Sequence, residues 1–280
     1  MLIIGGPSSQ TLASRVAFEM GTYPVVSDFL RFPDNEQYLR IQYDVSGEDV
    51  VLIQSTVTDS DLFALIQMID ACSEAKTITC VIPYMGYARQ DKLFNPGEPL
   101  SARAAAKSIN CDRVFTINIH EKSILDYFSC PATDLDASPL IGKYISNLDL
   151  DSPLLIAPDR GVEEMVKNTA SGLNLEYDVF DKTRLSGDSV VIEQKTLDLS
   201  KRDVIMIDDM IATGGTMAES IKMLKNGGAK RVFVGCVHPV LARNAVLRLF
   251  NSGVSDIFAT DTIEKIQSSI SVSSLIVDNI

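Results

Sequence analysis

The sequence predicts an α/β fold with mostly parallel sheets flanked by helices. Short apolar segments rich in β-branched residues alternate with longer segments of helical periodicity, a pattern typical of parallel-sheet proteins. Glycine pairs separate some of these segments, as at Gly5-Gly6 and Gly227-Gly228. Two regions of the chain also repeat one order of elements. Together these observations place the strands and helices described next.

Strands are predicted wherever a short β-branched segment is bounded by turn residues. They are Leu2–Ile4, Val50–Gln54, Ile78–Ile82, Val114–Ile117, Leu154–Ala157, Val204–Ile207 and Val232–Val237. The predicted helices are Asp59–Cys72, Ser101–Ile109, Gly161–Thr169 and Met217–Asn226. The last helix ends before Gly227-Gly228, since glycine readily adopts the left-handed backbone found at helix ends.

Two regions share the order strand, helix, strand. Val51–Thr56 leads through a helix to Lys76–Pro83, and Val204–Asp209 leads through a helix to Lys230–Pro239. Either two similar domains diverged from one unit, or the match reflects only that any two βαβ units look alike. The stretch Asn147–Pro153 has the look of a linker. We therefore expect one domain over residues 1–142 and another over residues 143–280.

Composition narrows the classes of function. The net charge of −12 argues against broad binding to nucleic acid or anionic membranes, which requires a basic face, but it permits small anionic substrates. No apolar run approaches the roughly 20 residues that cross a bilayer. The five cysteines show no CxxC spacing, which argues against a disulfide framework or a zinc site. We expect a cytoplasmic protein.

The segment Val204–Thr216 contains the clearest chemical motif. An apolar strand ends in Asp208 and Asp209, and a tight turn then opens a helix. Helix N-termini and successive backbone N–H groups bind phosphate, while adjacent carboxylates accept hydrogen bonds from vicinal ribose hydroxyls. The turn adds close backbone approach and hydroxyl donors through Thr213, Gly214, Gly215 and Thr216. An ordinary strand–turn–helix is the alternative, but two adjacent acids before Thr-Gly-Gly-Thr argue against it. The motif predicts a site for ribose 5-phosphate.

This segment resembles the phosphoribosyl-pyrophosphate loop shared by phosphoribosyltransferases and ribose-phosphate pyrophosphokinases. Ala212 is the residue found in several transferases, whereas the pyrophosphokinases more often carry an acid or serine there. Two segments of the first half favour the pyrophosphokinases. Phe32–Glu36 with Tyr38–Ile41 resembles the segment that holds the adenine of ATP across a dimer, and Tyr84–Lys92 resembles the triphosphate-binding loop. The resemblance implies ATP binding by Phe32, Asp34, Glu36, Arg89 and Gln90, and ribose 5-phosphate binding by Asp208, Asp209 and Ala212–Thr216.

Two further predicted strand ends carry polar residues, and ligand sites in α/β sheets gather at such ends. The resemblance implies that His120 contacts the ATP phosphates or a metal, and that Asp159 helps to hold Mg²⁺. Asp159 is the safer metal ligand because a hard cation prefers oxygen. The family usually has aspartate where Asn118 stands, so Asn118 is assigned no role.

Lys182 and Arg184 precede the polar stretch Leu185–Ser189. Their alternation would place both cations on one face of an extended strand. In the pyrophosphokinases a lysine and an arginine at this spacing lie on a mobile flap. The resemblance implies that both stabilise charge on the transferred phosphorus and on the leaving AMP. An exposed hairpin with two ordinary surface cations is the alternative.

The resemblance covers nearly the whole chain. It implies two phosphoribosyltransferase-type domains and Mg²⁺-dependent transfer of the β,γ-diphosphoryl group of ATP to the C1 hydroxyl of ribose 5-phosphate. It also implies at least a homodimer, with the ATP site shared across subunits, and no nucleic-acid or membrane partner. A phosphoribosyltransferase and a non-catalytic regulatory subunit stay open as alternatives. The Tyr84–Lys92 segment argues against the first, and retention of Lys182, Arg184, Asp208 and Asp209 argues against the second.

Overall fold

The chain forms two compact units. The computed structural model describes residues 1–93, 95–186, 189–193 and 199–280, with the backbone alone at 181–186 and 189–193. Unit 1 comprises residues 1–136, 261–264 and 271–280, and unit 2 comprises residues 137–260 and 265–270. In the described residues, no helix has the length and apolar character needed to cross a bilayer.

Unit 1 is organised around a parallel sheet, which has five strands in the described residues, in the order β1-β4-β5-β6-β7. These strands are β1 (Leu2–Gly5), β4 (Asp49–Ile53), β5 (Thr77–Ile82), β6 (Arg113–Ile117) and β7 (Ala132–Leu135). Residues of β4 are buried almost throughout, as expected for a parallel strand covered on both faces. All carboxyl ends of these strands therefore lie at one edge of the sheet.

A hairpin and several helices complete unit 1. Strands β2 (Ser27–Arg31) and β3 (Gln37–Ile41) pair antiparallel. The helices are α1 (Gln10–Glu19), α2 (Asp59–Ala71), α3 (Ser101–Ser108) and, from the C-terminal segment, α8 (Ser273–Val277). Helix α2 begins at a capping box in which Thr58 and Asp61 each bind the other's backbone N–H. Its apolar face packs into the core through Leu65 and Met68.

Unit 2 contains a second parallel sheet, with the order β15-β14-β13-β12-β8-β9 among the described residues. Its strands are β8 (Leu154–Ala157), β9 (Glu176–Val179), β12 (Asp203–Met210), β13 (Arg231–His238), β14 (Asp256–Thr260) and β15 (Ser268–Ile270). A separate antiparallel pair consists of β10 (Asp181–Ser186) and β11 (Ser189–Glu193). The helices are α4 (Ser138–Ile145), α5 (Glu163–Leu173), α6 (Gly215–Asn226) and α7 (Ala245–Asn251).

The structure confirms the predicted fold class and the predicted strands and helices, with ends that differ by a few residues. The predicted linker, Asn147–Pro153, follows helix α4, which ends at Ile145. Ile141 and Ile145 of α4 are buried, so this helix is part of the unit 2 core and the linker-like composition begins only after it.

Candidate active site

Three carboxylates gather at the carboxyl ends of two adjacent strands of unit 2. Asp208 and Asp209 lie in the last part of β12, and Asp159 follows β8, which pairs with β12. The N–H of Asp209 donates to Oδ1 of Asp208, with N···O 2.9 Å. Burial raises the pKa of Asp208 well above its usual value, and the carboxyl groups of Asp209 and Asp159 raise it further. This cluster favours a ligand that brings hydrogen-bond donors or positive charge.

Helix α6 begins directly after the turn that follows these acids. Gly214, its N-cap, has φ +68°, and a Cβ there would lie 3.3 Å from Leu249 Cγ. Both the left-handed backbone and the limited space therefore favour glycine. The first turn of α6 contains no acidic residue, and first-turn N–H groups have no acceptor within a helix. The positive end of the helix dipole is thus available to an anion, beside the exposed side chains of Thr213 and Thr216.

Backbone contacts hold the turn in place. The carbonyl oxygens of Ile211 and Ala212 accept the N–H groups of Leu241 and Ala242, at 2.8 and 2.9 Å. The carbonyl of Thr213 accepts Nη1 of Arg248 at 2.9 Å. These three hydrogen bonds tie the turn to α7 and to the segment that precedes it. Arg248, an exposed cation at the phosphate-type turn, was not predicted from sequence, because its helix was not predicted.

In unit 1, the segment Tyr84–Lys92 follows β5 and is bound to the end of β4. Thr56 Oγ1 accepts the N–H of Gly86 at 2.8 Å, and the N–H of Thr56 donates to the carbonyl of Tyr84 at 2.8 Å. A Cβ at Gly86 would lie 2.1 Å from the Thr56 carbonyl oxygen, so no other residue fits this turn. The side chain of Arg89 is exposed, while Gln90 is partly buried and accepts the hydroxyl of Ser101 at the start of α3.

His120 lies beyond the carboxyl end of the neighbouring strand β6, and its side chain is exposed. Asp134 on β7 supports this loop, since its Oδ1 accepts the hydroxyl of Thr116 at 2.7 Å and the N–H of Ile119 at 2.9 Å. Asn118 adopts φ +41° and donates through Nδ2 to Asp136 at 3.0 Å. The structure therefore places His120 and the Tyr84–Lys92 segment after adjacent strands, at the same edge of the sheet.

Phe32, Asp34 and Glu36 lie at the turn of the β2–β3 hairpin, and all three side chains are exposed. The turn is closed by the N–H of Phe32 donating to the carbonyl of Glu36 at 2.9 Å. The ring of Phe32 packs edge-to-face on Tyr38, with centroids 5.8 Å apart. The hairpin thus offers an aromatic ring and two carboxylates that are not buried in their own chain.

Lys182 and Arg184 lie on β10, opposite Ile192 and Val190 of β11. Their side chains lie outside the described residues, so the structure places only the backbone of these two predicted catalytic residues. The predicted polar stretch after them, Leu185–Ser189, is described in part.

In the described part of the chain, no group of three or more His, Cys, Asp or Glu side chains could hold a metal ion by itself. Mg²⁺ usually takes one or two carboxylates and completes its shell with water and substrate phosphate oxygens. The mutual repulsion around Asp208, to which Asp159 contributes, is the kind that a divalent cation relieves.

Comparisons with known proteins agree with this geometry. Residues 1–111 match the model of the N-terminal domain of ribose phosphate pyrophosphokinase, and residues 126–267 match the phosphoribosyl transferase domain. The ribose-phosphate pyrophosphokinase of Methanosarcina acetivorans is 60% identical over 278 residues, which cover 99% of this chain and 98% of that one. Ribose-phosphate pyrophosphokinase 2 of Archaeoglobus fulgidus is 43% identical and matches over the full length of both chains.

A solved structure shows the same architecture. The phosphoribosylpyrophosphate synthetase of Mycobacterium smegmatis superimposes with a TM-score of 0.85 at 28% identity, over 99% of this chain and 96% of that chain. The fold therefore consists of two phosphoribosyltransferase-type parts, as the sequence motifs predicted. With both family models matched in order and relatives similar over their whole length, this chain belongs to the ribose-phosphate pyrophosphokinase family.

Proposed function

We propose that the protein is a ribose-phosphate diphosphokinase, which converts ATP and ribose 5-phosphate into 5-phosphoribosyl 1-pyrophosphate and AMP. The observation that carries the proposal is the segment Asp208–Thr216, in which a tight turn connects the paired acids to the N-terminus of α6. The family membership supports the same reaction. With these two metabolites as substrates, we place the enzyme in the cytoplasm.

Ribose 5-phosphate is bound by unit 2 in this proposal. The carboxylates of Asp208 and Asp209 accept hydrogen bonds from the vicinal ribose hydroxyls. The phosphate binds the turn Ala212–Thr216 through its backbone N–H groups, the hydroxyls of Thr213 and Thr216, and the positive end of α6. The hydroxyl contacts stabilise the ionised form of Asp208, which burial disfavours without ligand.

ATP is bound by unit 1. Arg89 is suited to bidentate contact with a triphosphate, and its exposed side chain can reach a ligand at the edge of the sheet. Gln90 acts next to it, and His120 on the adjacent loop donates to phosphate. Phe32 offers a ring on which adenine stacks, and Asp34 and Glu36 offer acceptors for its amino group.

Mg²⁺ is the proposed metal, with Asp159 as its oxygen ligand and His120 as its second contact. When bound, it neutralises charge on the triphosphate and helps to align the reacting groups. The residues of the chain do the rest. They position the C1 hydroxyl oxygen of the sugar in line with the β-phosphorus of ATP, so that the new P–O bond forms as the bond to AMP breaks and the hydroxyl proton is lost.

Lys182 and Arg184 stabilise the negative charge on the transferred diphosphoryl group and on departing AMP. Positioning and charge neutralisation account for most of the rate in phosphoryl transfer, so no dedicated general base is required. In the proposed division of the chain, the domain of residues 1–142 binds ATP. The domain of residues 143–280 binds the sugar and contains strand β10 with Lys182 and Arg184.

The proposed assembly is at least a homodimer, in which the hairpin turn with Phe32, Asp34 and Glu36 completes the ATP site of a neighbouring subunit. The exposure of all three side chains supports this arrangement. No nucleic acid or membrane takes part.

The test is to incubate the protein with MgATP and ribose 5-phosphate and to quantify AMP and ADP separately. AMP that appears only with the sugar supports diphosphoryl transfer, and ADP would indicate an ordinary kinase. If neither forms, consumption of 5-phosphoribosyl 1-pyrophosphate with nucleobases separates a phosphoribosyltransferase from a non-catalytic subunit. The Asp209→Asn variant serves as the negative control and should form little AMP.

A further inference from the structure

Cysteines of unit 1 cluster at the edge of the sheet away from the proposed ATP site. Cys111 lies two residues before β6, and Cys130 lies two residues before β7, the parallel neighbour of β6. Their sulfur atoms are 3.9 Å apart, and both residues are partly exposed. Cys80, on β5, is fully buried beside them. Because Cys111 and His120 lie at opposite ends of β6, the cluster is separate from the phosphate-binding edge.

The three thiols are not chemically equivalent. Hydrogen bonding from Cys80 lowers the pKa of Cys111, a second hydrogen bond from Cys130 acts in the same direction, and burial opposes both. The pKa of Cys80 is raised, first by its hydrogen bond with Cys111 and then by burial. Burial raises the pKa of Cys130 to about 12, and the negative charge of Cys111 adds to this effect. Cys111 is therefore the thiol of the cluster that ionises most readily and can meet a solute.

We propose that Cys111 and Cys130 form a redox-active pair, which a small hydroperoxide converts into a disulfide within the chain. The geometry carries the proposal, since the two sulfur atoms are 3.9 Å apart, close to van der Waals contact, and a disulfide needs them at about 2.05 Å. Both are partly accessible, which the buried Cys72, Cys80 and Cys236 are not.

The reaction balances in two steps. The Cys111 thiolate attacks one peroxide oxygen, the O–O bond breaks, and sulfenic acid and hydroxide form. The Cys130 sulfur then attacks the sulfenic sulfur, the S–O bond breaks, and water leaves as the disulfide forms. Two thiols are oxidised, and one hydroperoxide is reduced to water or to water and an alcohol. The first step also removes the negative charge on Cys111 that raises the pKa of Cys130, so the resolving thiol ionises more easily in the second.

Peptide mapping of the full-length protein tests this directly. The reduced protein is treated with equimolar hydrogen peroxide, denatured with an alkylating reagent and digested with trypsin. Cleavage after Lys107 and Arg113 places Cys111 in residues 108–113, whereas Cys130 lies in residues 123–143 and Cys80 in residues 77–89. We expect the first two peptides to be linked, the link to open with dithiothreitol, and Cys236 to be recovered alkylated.

Conservative variants separate the two steps. With Cys130→Ser, Cys111 should persist as sulfenic acid that dimedone traps. With Cys111→Ser, Cys130 should survive peroxide for as long as buried Cys236. A link from Cys111 to Cys80, a link between two chains, or survival of Cys111 and Cys130 in the wild-type protein for as long as Cys236 would each overturn the proposal. The readout is a map of disulfide-linked and alkylated peptides, so it does not depend on the proposed enzymatic activity.

Discussion

The backbone N–H of Asp209 donates a hydrogen bond to Oδ1 of Asp208, with 2.9 Å between nitrogen and oxygen. This hydrogen bond lowers the pKa of Asp208. Burial raises that pKa and is the largest influence, and the charge and hydrogen bond of the Asp209 carboxyl group raise it further. The pKa of Asp208 is therefore well above the ordinary value. Ionisation of Asp208 is therefore less favourable in the folded protein than in water.

The first prediction concerns Asp208→Asn. A carboxyl group with a raised folded-state pKa destabilises the folded protein once it is ionised. This loss of folding free energy is complete above the folded-state pKa of the group. It disappears as the pH falls to the pKa of an ordinary aspartate, about 3.9. We expect the variant to melt a few degrees higher than the wild type at neutral pH, with the gap closing as the pH falls. Thermal unfolding between acid and neutral pH measures this.

The same variant should bind ribose 5-phosphate about 10- to 100-fold more weakly, the usual effect of losing a hydrogen bond to a charged group, about 1.5–3 kcal/mol. Asp256→Asn is the matched control, an exposed aspartate on β14 of the same sheet. It should change neither binding nor the pH dependence of melting. Equal melting curves for wild type and Asp208→Asn at every pH would contradict the account of the carboxylate cluster.

The second prediction concerns Gly214→Ala. Alanine at φ +68° carries about 1–2 kcal/mol of backbone strain, and its Cβ meets Leu249 at 3.3 Å. The turn must shift, so the first N–H groups of α6 lose their alignment. We expect at least about tenfold weaker binding of ribose 5-phosphate, which corresponds to 1.4 kcal/mol or more. Calorimetric titration measures the loss.

Gly228→Ala is the matched control for this change. Gly228 also has a left-handed backbone, with φ +94°, but it lies after the C-terminus of α6. Its Cβ would approach only Ser200, at 3.8 Å. We expect a similar loss of stability and unchanged affinity for the sugar phosphate. If both variants bound equally well, the turn would not be the phosphate site.

The third prediction concerns Lys182→Ala. The proposal gives this cation a role in the transition state but none in binding the sugar. Turnover should fall about 10²- to 10³-fold, as for loss of one transition-state donor, while the affinity for ribose 5-phosphate stays within about twofold. Lys222→Ala, an exposed lysine on α6, should leave both unchanged. Lost sugar affinity with a preserved rate would contradict the role of Lys182.

The sheets could be predicted from sequence because parallel strands are buried on both faces. Val204–Ile207 and Val50–Ile53 are almost fully buried in the structure, and their continuous apolar character is readable without tertiary information. Helix α4 was missed because it is short and follows Asp136-Ala137, a stretch without a strong cap. Its packing against α5, rather than its own propensity, stabilises it.

The candidate site likewise contains some residues that local sequence patterns indicate and others that only tertiary packing brings into place. Asp208, Asp209 and Gly214 follow one another along the chain, so their spacing alone indicates a diol-and-phosphate loop. Arg248 reaches Thr213 across 35 residues, through the packing of α7, and no local pattern points to it. Asp134 supports the His120 loop in the same way, from a neighbouring strand. Contacts of this kind depend on tertiary structure and cannot be read from motif spacing.

The last prediction tests whether the hairpin acts between subunits. If Phe32 completes the ATP site of a neighbour, Phe32→Ala and Lys182→Ala should each have little activity alone. A dimer with one chain of each kind would contain one site with an intact hairpin, given by the Lys182→Ala chain, and an intact Lys182, given by the Phe32→Ala chain. Mixing the two after subunit exchange should restore about a quarter of the wild-type activity, since half of the random dimers are mixed and each has one complete site.

Light scattering establishes first that the protein is at least dimeric. The control is a double variant that carries both substitutions in one chain, mixed with wild type. Its mixed dimers contain sites that each lack one group, so it should not exceed the activity of the wild-type homodimers in the mixture. Failure of the two single variants to complement, with exchange verified by differently tagged chains, would mean that Phe32 serves the site of its own chain. The exposed hairpin turn would then need another explanation.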